Sequence, residues 1–243
     1  MYSSYECIGI FNEQLAKVKR NGKWGFIDRI GNEVIPLIYD RVENFCEGLA
    51  VVQLGGKCGY VDKSGNEVIS LIYDNVKNFY KGLAYVWLNE KKGAIDKTGN
   101  EIIPPVCDYL NFFHKTGLSI IYINGKCGIV DKTGNEVIPL VYDYLEDFNE
   151  GLAQVKRNGK WGFIDETGKE VIPIRLTYDY VSCFFEGLAA VYLNGKTGFI
   201  DKSGTEIIPP LYDKAYPFSG GFARVERNGI WCNIDKTGKE IYD

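Results

Sequence analysis

The chain has 243 residues, 45% of them hydrophobic and 25% charged, proportions ordinary for a globular protein. Its formal net charge of -4 gives no general pull toward nucleic acid or anionic membranes, and no run approaches the roughly 18 apolar residues of a membrane span. Seventeen Tyr, 13 Phe and 28 Gly favour strands and tight turns over helices.

In chain order, Met1-Tyr2-Ser3-Ser4-Tyr5-Glu6 lacks the basic region and apolar core of a signal peptide. Leu15-Ala16-Lys17-Val18-Lys19-Arg20 then alternates, as does Trp24-Gly25-Phe26-Ile27-Asp28, and Asn21-Gly22 between them is a strong hairpin signal. A second turn follows, which the next copy writes as Asp62-Lys63-Ser64-Gly65-Asn66, and then a short strand (Glu67-Val68-Ile69) that Pro ends in most copies. Tyr39 to Phe45 reads either as a fourth short strand or as an irregular connector anchored by Tyr39, Val42 and Phe45.

This block returns along the whole sequence. The Asp closing the second strand falls at 28, 62, 96, 131, 165, 201 and 235, and a Tyr-Asp landmark marks Tyr39, Tyr73, Tyr142, Tyr178 and Tyr212, with Cys107-Asp108 once. The expected organisation is a single repeat domain over 1–243, in units of about 5–38, 39–72, 73–106, 107–141, 142–177, 178–211 and 212–243. The fold expected is all-β. Seven antiparallel units of three to four strands stack as a solenoid-like array, with a closed seven-bladed propeller as the alternative.

Lys160-Trp161-Gly162-Phe163-Ile164-Asp165-Glu166-Thr167-Gly168-Lys169-Glu170-Val171-Ile172-Pro173 resembles the bacterial WG repeat, named for its Trp-Gly pair, and seven copies carry the resemblance across the chain. The resemblance implies a β-rich repeat array with no activity assigned to the repeat itself. Cys58, Lys92, Cys127 and Thr197 replace the name-giving Trp.

A two-residue turn fixes register, so the copies can be read against each other. The pairs Lys19–Trp24, Gln53–Cys58, Trp87–Lys92, Tyr122–Cys127, Lys156–Trp161, Tyr192–Thr197 and Glu226–Trp231 result, and six of the seven hold one aromatic. One ring is therefore expected at that spot, supplied from either strand, with a Lys stem packed over it where the partner is Lys. Glycine holds the next position at Gly25, Gly59, Gly93, Gly128, Gly162 and Gly198, with Cys232 in the last unit. A ring of the following unit, Tyr39 or Phe45 or an equivalent, is expected over this bare backbone.

Candidate chemistry is sparse. The Asp-x-x-Gly-Asn-Glu turns lack the alternating oxygen ligands of a calcium loop, and turn chemistry accounts for their Asp, Gly and Asn, so no metal is expected. His114 is the sole histidine and Cys107 lies seven residues before it, but Cys107 holds a place otherwise filled by Tyr, which reads as packing. With no phosphate loop, nucleophile elbow or zinc spacing, neither enzyme activity nor a cofactor is expected. The residue after the Tyr-Asp landmark reads Arg41, Asn75, Tyr109, Tyr144, Tyr180 and Lys214, so Tyr109, Tyr144 and Tyr180 form the candidate ligand-binding row. The functional expectation is a non-catalytic scaffold for a protein or peptide partner, with a glycan as the alternative and neither nucleic acid nor membrane as a target. Seven Cys without a spaced framework read as free thiols of the cytoplasm.

Overall fold

The computed structural model describes residues 5–111 and 117–241. It is all-β: seven four-stranded antiparallel sheets, each a meander in which consecutive strands are neighbours. The first sheet comprises Cys7–Ile8, Ala16–Arg20, Lys23–Ile27 and Glu33–Tyr39. The Tyr-Asp segment thus resolves as an edge strand that opens each following sheet, two residues long as in Arg41–Val42 and Asn75–Val76 except in the sixth sheet, where Tyr180–Phe185 is longer. The chain divides into two compact units, one of Met1–Leu110 with Lys132–Gly134, the other of Asn111–Asp131 with Asn135–Asp243.

Turn chemistry sets these sheets. Asn21 and Gly22 have φ of 52° and 76°, the double positive of a type I′ hairpin, and Asn124-Gly125, Asn158-Gly159, Asn194-Gly195 and Asn228-Gly229 repeat it. Asn89-Glu90 takes the same turn without glycine, Glu90 lying at φ 67°. A second double-positive turn joins the edge strand to its partner at Glu47-Gly48, Glu150-Gly151 and Glu186-Gly187. In the third turn the Asp62 carboxylate accepts from the Ser64 and Asn66 backbone N–H groups and from the Asn66 side-chain amide. The Asn66 side chain, and then these N–H groups, hold Asp62 below the usual carboxylate range.

The cross-strand pairs read from the hairpins are those of the structure, from Lys19–Trp24 to Glu226–Trp231. Lys19 and Lys156 carry their ammonium groups over the rings of Trp24 and Trp161 at 5.8 and 4.9 Å, whereas Lys92 lies over Tyr109 instead.

Two expectations about the third and fourth strands are corrected. Proline does not end the strand: Glu33–Tyr39 runs through Pro36. Trp24 pairs with Tyr39 and Phe26 with Ile35, so two residues on one strand span the same length as four on its neighbour. Pro36 sits inside this bulge, where the regular ladder makes no demand on its missing N–H. The same bulge is the reason for the glycines. A Cβ on Gly25 would lie 2.5 Å from the Ile35 carbonyl oxygen and 2.7 Å from that of Pro36. At Gly59, Gly93, Gly128, Gly162 and Gly198 the nearest atom is likewise the carbonyl oxygen of Ile69, Ile103, Ile138, Ile172 and Ile208, at 2.4–2.7 Å. Backbone of the same sheet, and not a ring of the following unit, excludes the side chain. At Cys232 the equivalents of Ile35 and Pro36 are Tyr242 and Asp243, which lie outside the described residues.

Within each unit the sheets stack face to face. In the first, Phe26, Ile35 and Tyr39 of one sheet meet Ala50, Val52 and Val61 of the next, and Phe45 of the connector fills the layer between. Tyr60, Ile69 and Tyr73 meet Ala84, Val86 and Ile95 in the same way around Phe79. The second unit repeats the arrangement, with Phe163 against Phe184 and Phe199 against Phe218 at ring separations of 4.7 and 4.9 Å. Each such buried ring contributes about 1.5–3 kcal/mol by leaving water.

A polar clamp runs along the stacks beside these cores. Asp40 accepts from Lys23 of the preceding sheet at 2.5 Å and from the Gly55 N–H of its own hairpin at 2.8 Å. Asp74 does the same with Lys57 and Asn89, Asp143 with Lys126 and Asn158, and Asp213 with Lys196 and Asn228. In these four repeats the Asp of the Tyr-Asp landmark therefore serves both sheets it lies between, and Asp179 accepts from the Asn194 N–H of its own hairpin.

Candidate functional site

Tyr144 and Tyr180 each begin an edge strand of the second unit, Tyr144–Leu145 in the fifth sheet and Tyr180–Phe185 in the sixth. In the fifth sheet Tyr144 pairs with Lys156, and Lys156 with Trp161, so the three side chains share one face. Stacking of the sixth sheet on that face brings Tyr180 to the other side of the indole. Trp161, 4% exposed, stands edge-on to both tyrosines, 5.5 Å from the Tyr144 ring and 5.4 Å from that of Tyr180. Tyr180 also meets Tyr192, its cross-strand partner, at 5.6 Å. Tyr109 belongs to the first unit, where Lys92 covers its ring at 4.9 Å. Of the row expected from sequence, the structure thus joins Tyr144 and Tyr180 through a buried indole and places Tyr109 in a different setting.

A hydrogen-bonded chain fixes these rings. The Tyr144 hydroxyl donates to Glu146 at 2.6 Å, and Gln154 Nε2 donates to the other Glu146 oxygen at 2.6 Å and to the Tyr180 hydroxyl at 3.3 Å. Burial first, and then its bond to Glu146, pushes the Tyr144 hydroxyl well above the ordinary tyrosine value; burial raises Tyr180 as well. Both remain protonated donors or acceptors throughout the neutral range. Gln154 is wholly buried, and its Oε1 receives no hydrogen bond from any described residue.

Gln154 was not legible as a site residue, although its signal lies in the copies. The equivalent positions read Lys17, Val51, Tyr85, Ile120, Gln154, Ala190 and Arg224, and the polar ones occur only in the repeats that keep Trp24, Trp161 and Trp231. Lys17 lies 5.7 Å from the Trp24 ring centre and Arg224 5.0 Å from that of Trp231. A cation at this position thus stands beside the indole in the first and seventh sheets, while in the fifth Gln154 turns its amide to Glu146 and Tyr180.

Other candidates lead elsewhere. Cys107 is fully buried, and burial pushes its thiol up to about 11, the opposite of an activated nucleophile. His114, the partner considered for it, lies outside the described residues. Among the described residues no group of three His, Cys, Asp or Glu side chains is placed to hold a metal ion.

The family model for the WG containing repeat matches seven segments, residues 5–24, 24–58, 59–91, 93–127, 128–161, 161–196 and 198–231. No curated protein matches the sequence. Among solved structures, a eukaryotic initiation factor is similar over 97% of this chain and 74% of its own, at 12% identity and a TM-score of 0.44. AztD of Citrobacter koseri is similar over 94% and 80%, at 11% identity and a TM-score of 0.41. PorZ, a surface component of the type-IX secretion system of Porphyromonas gingivalis, is similar over 99% of this chain at 10% identity and a TM-score of 0.35, and this chain spans only 38% of its length. At such scores the likeness says nothing about activity. Seven family matches across seven like-built sheets do carry a conclusion: the chain belongs to the WG-containing repeat family.

Proposed function

We propose that this chain is a non-catalytic bacterial scaffold of the cytoplasm that holds a protein or peptide partner, with the face around Tyr144 and Tyr180 as its contact surface. The observation that carries the reading is the bracing of Tyr180, 38% exposed, and half-buried Tyr144 against the indole of Trp161 between them. Rings held in place before a partner arrives lose little conformational freedom on contact, which is why rigid aromatic residues dominate binding hot spots. Lys156 and Glu146 beside them supply a polar rim. Seven free thiols support the reducing compartment.

The test is affinity capture from bacterial lysate with wild type and with a Tyr144→Ala/Tyr180→Ala variant, each shown by thermal melting to be folded. Loss of a defined protein band in the variant supports the reading. Identical captured proteins from both, or binding confined to a glycan array, overturns it, the latter in favour of a carbohydrate ligand.

A further inference from the structure

The ring contacts of the second unit form a ladder with one break. They run from Tyr144 to Trp161, Tyr180 and Tyr192, stop, and resume with Tyr216 stacked on Trp231 at 5.8 Å. The break falls at Thr197, which holds the place that Trp161 holds one repeat earlier and is buried at 1% exposure. Where the indole of Trp161 reaches across to the next sheet, the short side chain of Thr197 leaves a cleft of about 270 Å³ between the sixth and seventh sheets. Tyr192 and Tyr216 line it, Thr197 and Ala215 form its floor, and Lys214 and Asp213 stand at its rim.

We propose that this cleft takes one aromatic side chain of a bound peptide, an indole for preference. The inference rests on the peptide-binding reading above and adds the residue class it would select. Three observations converge on a ring. The equivalent space one repeat earlier is filled by the chain's own indole, so the fold already accommodates that shape there. The cleft is smaller than the roughly 300–1,000 Å³ of a site for a drug-sized ligand and has an aromatic wall on either side, which suits one inserted ring. The charge also matches. Lys214, held by Glu226 at 2.9 Å and lying 5.9 Å from the Trp231 ring centre, keeps most of its side chain exposed beside the cleft, where its cation can turn to the negative face of an inserted ring. The Asp213 carboxylate already accepts from Lys196 and the Asn228 N–H, and keeps acceptor capacity for an indole N–H.

The experiment uses the full chain with 13C-labelled threonine and alanine methyl groups, titrated separately with N-acetyl-tryptophanamide, N-acetyl-leucinamide and a methyl glucoside. A saturable upfield shift of the Thr197 and Ala215 methyl signals with the tryptophan amide alone is the expected result. No saturable shift, an equal response to the leucine amide, or a response only to the glucoside overturns the proposal. In Thr197→Trp, which closes the cleft from within, the Ala215 methyl should be shifted before any probe is added and the affinity for the probe should fall at least about tenfold, the equivalent of a lost aromatic pair. Should that variant not fold, Tyr216→Ala removes a wall that is 58% exposed and should weaken binding about three- to tenfold. Unchanged affinity there overturns the proposal too. A positive titration combined with failed partner capture through Tyr144 and Tyr180 leaves the ring cleft standing and removes the peptide scaffold; the converse result removes the cleft alone.

Discussion

Gly128 faces the carbonyl oxygen of Ile138 so closely that a Cβ would lie 2.4 Å from it. The contact is between neighbouring strands of one sheet, at the bulge that lets the chain cross its neighbour. Neither partner is the end of a flexible side chain, so a substituent can be admitted only by moving the strand. Gly128→Ala should therefore destabilise the protein by about 1–3 kcal/mol or more, the range for overpacking. Chemical denaturation measures this. A variant as stable as wild type would show that the crossing is softer than its geometry.

Glu90, at φ 67°, occupies the turn position that glycine fills in the other six hairpins. A side chain in the left-handed region costs about 1–2 kcal/mol relative to glycine, which visits it freely. Glu90→Gly should raise stability by about 1 kcal/mol, part of the gain being lost to the greater freedom of glycine in the unfolded chain. A rise in thermal midpoint without change in the circular-dichroism spectrum is the expected readout, and a fall would sink the strain argument.

Gln154 has a buried oxygen that accepts no hydrogen bond from a described residue, while its amide serves Glu146 and Tyr180, both of which reach solvent. Replacing it by an aliphatic residue removes the stranded oxygen and leaves no buried partner behind. Equivalent positions already hold Val51 and Ile120. Gln154→Ile should be neutral or stabilising by up to about 1 kcal/mol. Partner capture should weaken at the same time, because Tyr180 loses the amide that orients its hydroxyl. Stability and capture falling together would instead mark Gln154 as a structural keystone.

The clamp carboxylates set an acid limit on the fold. The side chain of Lys57, and then the Asn89 N–H, lower the pKa of Asp74 in the native state; Lys23 and the Gly55 N–H do so for Asp40. A depressed native pKa means that the unfolded chain binds the proton first. The contribution is then full above the unfolded value near 4, and it is lost as pH falls through the lower native value. The turn carboxylates Asp62, Asp96, Asp165, Asp201 and Asp235 are shifted in the same direction. Stability should therefore decline steeply below about pH 4. Asp74→Ala should cost stability at pH 7 and progressively less as the pH approaches 2, which denaturant midpoints across that range would reveal. A constant difference between the two proteins at every pH would rule out the carboxylate as its source.

The hairpins are legible because a two-residue turn, Asn-Gly in five of the seven, states both the turn and the register, and the cross-strand pairs from Lys19–Trp24 onward follow from that length. The bulge is not legible, for a physical reason. Pro36 reads as a strand terminator in isolation, and only the position of the neighbouring strand shows that its absent N–H falls where no partner is required. The glycine requirement was visible while its cause was not, since Gly25 and Ile35 meet across strands separated by a turn. Tyr144 and Tyr180 were found as a periodic row, but Trp161 between them was assigned to a separate row of structural rings. Periodicity compares equivalent positions; the contacts that matter here join positions that are not equivalent.

The Asp40 clamp carries a consequence for the length of the array. Its lysine comes from the sheet before and its backbone donor from the sheet after, so a segment from Asp40 to Tyr73 holds one clamp acceptor, Asp40, one hairpin donor, Gly55, and one clamp lysine, Lys57. Removing residues 40–73 would join Tyr39 to Asp74 and present Lys23 with a like carboxylate, while Phe79 would follow at the distance from Phe26 that Phe45 now keeps. Such a cut keeps the clamp and the ring layer, while Lys17 would exchange its partner Glu43 for Lys77. Whole repeats can therefore be added or removed at this seam with the clamp and the ring layer kept, the change falling on exposed pairs such as Lys17–Glu43.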